Sequence, residues 1–442
     1  MATYPVKYFH SGMAGAPQLS DAHGVLTTML DAVLVNGFNS LNPTTISRSG
    51  SVATATYATA HGYLQDQIIK VSGCNETEYN GEQRVVSVPT STTLTFAVTG
   101  LPATLATGTP NTITAPLTFE ITYSATNIRI YRSTNSSSTK PQLRVDNSLD
   151  AGWTGTYAKF ARVGVAPAFK PDGFTPTGID YIPFSTSITN SLAANQTIQS
   201  GSGATAQLGW HKWYYARADA SNNSESTTPS SGNRSWTIVG DDRGFYFFTE
   251  FNFSYGKAGY AFTEFPSFRT NDIYNTFFQA TDLQIAANSG TWSYSSIGGP
   301  NPYSNFCLSN DTSGKWIMRD VTSTVPCKGV LNTFQGLATQ ETPGYATGMA
   351  YPDPVTGGAN FFPVTLQDSG GGSSGSIRGM MPGLFWIMNN NSPFNNRDTV
   401  INVAGYAGRT FFIVSLGWLQ NGNVIRIAFD ITGDPSNNFK WW

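Results

Sequence analysis

Nearly every ordered-looking segment of this chain after residue 37 alternates apolar and polar side chains with a period of two. These segments are short, and Gly, Pro, Asn and Asp separate them. Period-two runs of this length, punctuated by turn residues, make half-buried strands and rule out a helical bundle. The spacing predicts strands at Phe119–Tyr123 and Asn127–Tyr131. It also predicts a hairpin from Trp236–Val239 through Gly240–Gly244 to Phe245–Thr249. A later series covers Phe361–Leu366, Leu384–Met388, Thr399–Val403, Thr410–Leu416 and Val424–Ile431. Strands this short and regular suit β-sandwich or barrel domains. The stretch 133–205, rich in Ser, Thr, Gly and Pro, reads as long loops.

One segment breaks the pattern. Val25, Leu26, Met29, Leu30, Val33 and Leu34 recur at helical spacing, with Ser20 or Asp21 placed to cap the start and Asn36-Gly37 to end it. A short strand is expected before it, at Pro5–His10. Residues 49–114 read as a small β module inserted into a larger domain. Within it, Gln83–Val88 and Leu94–Val98 form a hairpin that puts Val86, Val88, Leu94, Phe96 and Val98 on one face. Ala103–Pro116, poor in large apolar groups, reads as a return linker. The expected organisation is 1–48 with 115–270 as an N-terminal and central β domain, 49–114 as the insert, and 271–442 as a C-terminal sandwich-like domain.

Charge decides which functions are compatible with this architecture. Only 12% of the 442 residues are charged, about half of the ~25% common in soluble domains. The formal charge is −2, from 25 basic and 27 acidic residues that are scattered along the chain. No field draws nucleic acid, and no run approaches the ~18 consecutive apolar residues that insert into a bilayer. The first ten residues lack the basic and apolar regions of a signal peptide. Cys74, Cys307 and Cys327 are too few for a disulfide scaffold or a zinc site. Buried free thiols are expected, with a Cys307–Cys327 bridge as the alternative in an oxidising medium.

Chemical motifs are scarce. Gly371-Gly-Ser-Ser-Gly375 has the letters of a serine-nucleophile elbow, which needs a strand before it and a helix after it. Here it sits in a Gly/Ser run between two strand candidates, so it reads as a loop. His10, His23, His61 and His211 have no metal-ligand spacing and read as polar surface or loop residues. Asp241-Asp242 reads as a turn. No catalytic, cofactor-binding or metal-binding residue is assigned, and a non-enzymatic role is expected. The candidate interaction residues are aromatic: Trp210, Trp213, Tyr214 and Tyr215 around His211, and Trp441 and Trp442 in Phe439-Lys-Trp-Trp442. Sheet cores or subunit contacts account for such clusters, with sugar stacking as the alternative.

Four patches carry a family resemblance. They are Val6–Pro17 with Leu26–Phe38; Ala60–Tyr63 with Asn80–Arg84; Trp236–Tyr246; and Ile377–Trp386 with Ala428–Gly433. In this order they resemble structural proteins of tailed-bacteriophage virions. The resemblance implies a virion building block made in the bacterial cytoplasm and placed in the tail, at the baseplate or tail tip. Its partners would be further copies of itself and other virion proteins. Recognition of host-surface glycan, and a head-decoration or neck position, are the alternatives it leaves open.

Overall fold

The helix and its cap show how local sequence and tertiary contacts divide the work. The computed structural model describes residues 6–149, 155–173, 176–177, 211–218, 227–252, 257–270, 272, 275–280, 314–318, 327–332, 350–368, 375–389, 392–401, 403–418, 424–433 and 441. After strand β1 (Lys7–His10), helix α1 spans Val25–Leu30 and runs into a π-helical segment at Asp31–Asn36. Leu26, Met29, Leu30, Val33 and Leu34 are buried as the spacing predicts. The cap is different. Gly24, at φ 86, occupies the N-cap position, and Asn147, far along the chain, accepts the Leu26 N–H at 3.0 Å. Ser20 and Asp21 lie outside the helix.

The inserted module follows. Its strands are β2 (Phe38–Leu41), β3 (Thr45–Ser49), β4 (Val52–Thr56), β5 (Ile68–Cys74), β6 (Gly81–Arg84), β7 (Ser87–Thr90), β8 (Thr93–Ala97) and β9 (Gly108–Thr114). Two four-stranded sheets, in the orders β2-β9-β5-β6 and β3-β4-β8-β7, face each other. Between them lies a core that includes Ile46, Tyr57, Ile69, Val71, Tyr79, Leu94 and Phe96. Phe38 pairs with Thr114, so the chain enters and leaves at one point.

Two expectations are corrected in this module. The segment read as a linker contains β9, which pairs with both β2 and β5. Thr and Asn supply its pleat, and Pro110 falls where the β5–β9 register shifts, a position that needs no ladder hydrogen bond. The chain also changes sheets between β6 and β7. Val85 is therefore the buried valine, and Val86 is 51% exposed.

The body begins with β10 (Phe119–Ala125), β11 (Ile128–Ser133), β12 (Gln142–Asp146) and β13 (Lys159–Ala166). A small pair, β14 (Ala168–Phe169) and β15 (Pro176–Thr177), precedes β16 (His211–Ala216). Strands β10-β11-β12-β13-β16 make a five-stranded sheet. Strands β12 and β13 and the short β14–β15 pair thus interrupt the stretch 133–177, which reads as loops in the sequence, and 178–205 lie outside the described residues. In β12 and β13 even the charged residues are buried: Asp146 lies 3.2 Å from Arg144 and 2.9 Å from Arg162.

The remaining strands are β17 (Trp236–Asp241), β18 (Gly244–Thr249), β19 (Ala258–Glu264), β20 (Thr276–Gln279), β21 (Lys315–Met318), β22 (Cys327–Asn332), β23 (Phe361–Asp368), β24 (Ile377–Ile387), β25 (Thr399–Ile401), β26 (Thr410–Trp418) and β27 (Val424–Asp430). They join β1 in one antiparallel sheet of order β1-β17-β18-β19-β20-β21-β22-β23-β24-β27-β26-β25. The ladder continues across residue 270 through β19, β20 and β21, and one core serves both sides of that position.

Beyond β23 the sheet buries both faces. Leu384, Trp386, Phe412, Val414, Ile427 and Phe429 face the main core, while Phe385, Ile387, Phe411, Ile413 and Ala428 form a second one. The protein is mainly β, with packed open sheets, and no barrel closes among the described residues.

Candidate interaction surfaces

The aromatic run on β16 sits inside the sandwich. Trp213 stacks on Tyr260 with centroids 5.8 Å apart and on Phe278 at 6.3 Å, and meets Phe245 edge-on. Its indole N–H donates to the Gln279 carbonyl at 3.0 Å. The Tyr214 backbone N–H donates to the Tyr260 hydroxyl, which returns a bond to the Tyr214 carbonyl. Tyr215 donates to the Ala22 carbonyl and receives a bond from Asn147, and burial pushes its phenol pKa up. All three side chains are fully buried. They are core residues, and no ring face is left for a sugar. The opposite sheet closes over Trp213 with Phe245 and Phe247 of β18, Tyr260 of β19 and Phe278 of β20.

Trp441 packs on its own chain. Its indole N–H donates to the Asp430 carbonyl at 2.8 Å, and its ring lies 5.9 Å from Tyr246 and 6.5 Å from Phe429. Gly383 forms the floor of that seat. Trp210, Trp442, Ser373 of the Gly/Ser run and Cys307 lie outside the described residues. The strands on either side of that run, β23 and β24, pair with each other, so the run joins a strand to a strand. Cys74 is buried, and its thiol is pushed up to about 11, first by burial and then by Glu76.

His10 and His211 differ from the sequence expectation, since they lie in strands, whereas His23 and His61 lie in loops. His10, His61 and His211 are buried. His61 lies against Tyr57 and Tyr63, at 5.1 and 5.6 Å, and its Nδ1 accepts the Tyr63 N–H. His211 meets Phe278 and Trp316 edge-on. Imidazole serves here as a flat aromatic body among other rings. Burial and the nearby Arg397 drive His10 down to about 3. Burial with Lys159 and Arg162 drives His23 to about 4. Asp241 makes the β17–β18 turn by accepting the N–H groups of Arg243 and Gly244. Among the described residues no group of His, Cys, Asp and Glu is arranged to hold a metal.

What the sequence did not signal is the junction between module and body. Lys7 of β1 and Glu82 of β6 form a 2.6 Å ion pair with side chains only 3% and 9% exposed. Lys7 also donates to the Pro116 carbonyl. Tyr8 donates to the Gln65 carbonyl and stacks on Phe412 at 4.4 Å. Arg84 reaches the carbonyls of Ile431, Thr432 and Gly433. Burial lowers the Lys7 pKa, and Glu82 opposes that shift. The arrangement holds two bodies in a fixed relation and contains no reactive group.

No protein-family model and no curated protein matches this chain. No helix among the described residues is long and apolar enough to cross a membrane.

Proposed function

We propose that this chain is a non-enzymatic structural subunit of a tailed-bacteriophage virion, placed in the tail at the baseplate or tail tip. The observation that carries the reading is convergence: the four patches of resemblance, spread over the sequence, form one connected framework. β1 pairs with β17 from Lys7↔Gly240 to His10↔Thr237. Trp236 donates its indole N–H to the Pro17 carbonyl. Gly62 approaches Ala14 so closely that a Cβ on it would lie 2.4 Å from the alanine methyl. Tyr246 donates to the Pro382 carbonyl and packs on Phe429 at 5.0 Å. Lys7–Glu82 and the Arg84 bonds connect the module to the rest.

A resemblance confined to unrelated surface segments would scatter over the fold. Residues that jointly build one rigid frame are what a shared architecture retains. The low charge agrees with a subunit whose surfaces are covered by neighbours. Its partners in this reading are further copies and other virion proteins.

The test is mass spectrometry of purified virions of the phage that encodes the chain, followed by a cryo-electron-microscopy map. Peptides of this chain in stoichiometric amount, and density at the tail tip, support the proposal. Absence from virions overturns it, and density on the head overturns the tail position.

A further inference from the structure

One end of the main core holds a carboxylate that no basic group answers. Glu264 closes β19 and is 2% exposed, and its backbone N–H donates to the Arg243 carbonyl at 3.5 Å. Register pairs it with Thr276 of β20, and Thr276 with Met318 of β21, so the three side chains share one row on one face. Tyr260 and Phe262 of β19, Phe278 of β20 and Trp316 of β21 have the same parity and meet Trp213, Phe119 and His211. The row therefore faces the core between the two sheets, at the end where β17 turns into β18.

The connection from β11 to β12 reaches this row from the five-stranded sheet. Thr139 donates its backbone N–H, at 2.7 Å, and its hydroxyl to Oε1 of Glu264. That oxygen is satisfied. Oε2 is buried and receives no hydrogen bond, and the hydroxyl of Thr276 on the adjacent strand is buried and makes none either. None of the ion pairs among the described residues includes Glu264. Other buried carboxylates are matched: Glu82 by Lys7, Asp146 by Arg144 and Arg162, and Asp272 by Arg378. A charged group inside a fold is paired or holds a metal ion, because a lone charge in a low-dielectric interior is too costly to keep.

We propose that Glu264 and Thr276 form a site for one alkali cation, sodium or potassium. The donors set the class of ion. Carboxylate and hydroxyl oxygens are hard ligands that suit alkali and alkaline-earth ions, and the row offers neither the imidazole nor the thiolate that selects zinc. Charge sets the valence. One carboxylate neutralises one positive charge, whereas calcium sites gather several carboxylates, and no group of three His, Cys, Asp and Glu is so arranged among the described residues. Oε2 of Glu264 supplies the charge and Oγ1 of Thr276 a neutral ligand. Because Oε1 carries both Thr139 bonds, an ion on Oε2 fixes the carboxylate that ties the β11–β12 connection to the long sheet. The two sheets are thereby held together at this end.

The test is thermal denaturation at neutral pH in sodium, potassium or N-methylglucamine chloride, each at about 0.15 M so that screening is equal. Expected is melting a few degrees higher in sodium or potassium than in N-methylglucamine, as an ion that binds only the folded chain requires. Glu264→Gln keeps the shape and the acceptor for Thr139 but removes the charge, and should melt alike in all three salts. Thr276→Val keeps the volume and removes one ligand, and should narrow the shift. Glu76→Gln is the control. Glu76 also accepts a backbone N–H and a hydroxyl from one threonine, Thr107, but on the outside of the module, and its replacement should leave the shift unchanged. Equal melting of the natural chain in the three salts overturns the proposal. So does a full shift in Glu264→Gln or in Thr276→Val, or a natural chain that responds to about 1 mM calcium and to neither alkali ion.

Discussion

At the scale of single residues, this protein keeps ionisable and glycine positions under tight steric and dielectric control. His10 is held neutral by burial beside Arg397, with its pKa near 3, against ~6.5 in an unfolded chain. Above pH 6.5 neither state binds a proton there, so stability is unaffected. Below it the unfolded chain takes up a proton that the folded one refuses, and stability falls until the folded pKa is reached. The expected loss from His10 alone is ~1 kcal/mol per pH unit below that point. Urea denaturation of the natural chain and of His10→Gln from pH 7 to pH 4 measures it. Equal slopes in the two proteins would remove His10 from the account. Gly383 gives a second expectation. It holds φ +59, and a Cβ there would lie 2.0 Å from the Trp441 indole nitrogen. Gly383→Ala and Trp441→Ala are each expected to cost about 3 kcal/mol. The double variant should cost far less than their sum, because the alanine methyl then enters the vacated seat. Additive losses would show that the two do not share a site.

At the scale of elements, legibility in the sequence followed whether a segment's partner was water or protein. The β17–β18 hairpin was legible because turn chemistry at Asp241 is local, and β10 and β11 because both alternate, although Asn127, read as the start of a strand, makes their turn at φ 59. β12 alternates Leu143 and Val145 with Gln142, Arg144 and Asp146, a signal masked by its Ser- and Pro-rich surroundings. β9 has too few large apolar groups to be read as a strand at all. Neither the Asn147 cap on α1 nor the Lys7–Glu82 bridge has a local signal, since each joins residues far apart in sequence. That bridge yields a directional expectation. Removing one partner, by Lys7→Met or Glu82→Leu, leaves a buried uncompensated charge and should cost about 3–5 kcal/mol. The double replacement should recover much of that loss. Thermal denaturation of the three variants decides it, and a double variant worse than both singles would argue that the pair itself supplies net stability.

At the scale of the whole molecule, the mainly β class follows from the period-two pattern, and the described members of the aromatic clusters, Trp213, Tyr214, Tyr215 and Trp441, resolve into core. The long single sheet was not legible, because strand order depends on pairings that no local pattern encodes. The same topology makes the module separable. It has its own core, and Phe38 and Thr114 are ladder partners, so cutting the chain at those points leaves both ends together. A fragment covering residues 38–115 is expected to fold alone with a cooperative transition. Its stability should be only a few kcal/mol, since a domain this small buries a modest core. The complementary chain, with 38–115 replaced by a short Gly/Ser link, opens Lys7, Tyr8 and the Ile431–Gly433 carbonyls to water, which solvates them, and should fold with reduced stability. Circular dichroism melts and amide NMR spectra of both pieces test this. A cooperative fragment beside a folded body would mean that the module is an autonomous unit fastened by a polar junction. A fragment that stays unfolded would mean that the contacts of Lys7, Tyr8 and Ile431–Gly433 with the module supply part of its folding free energy.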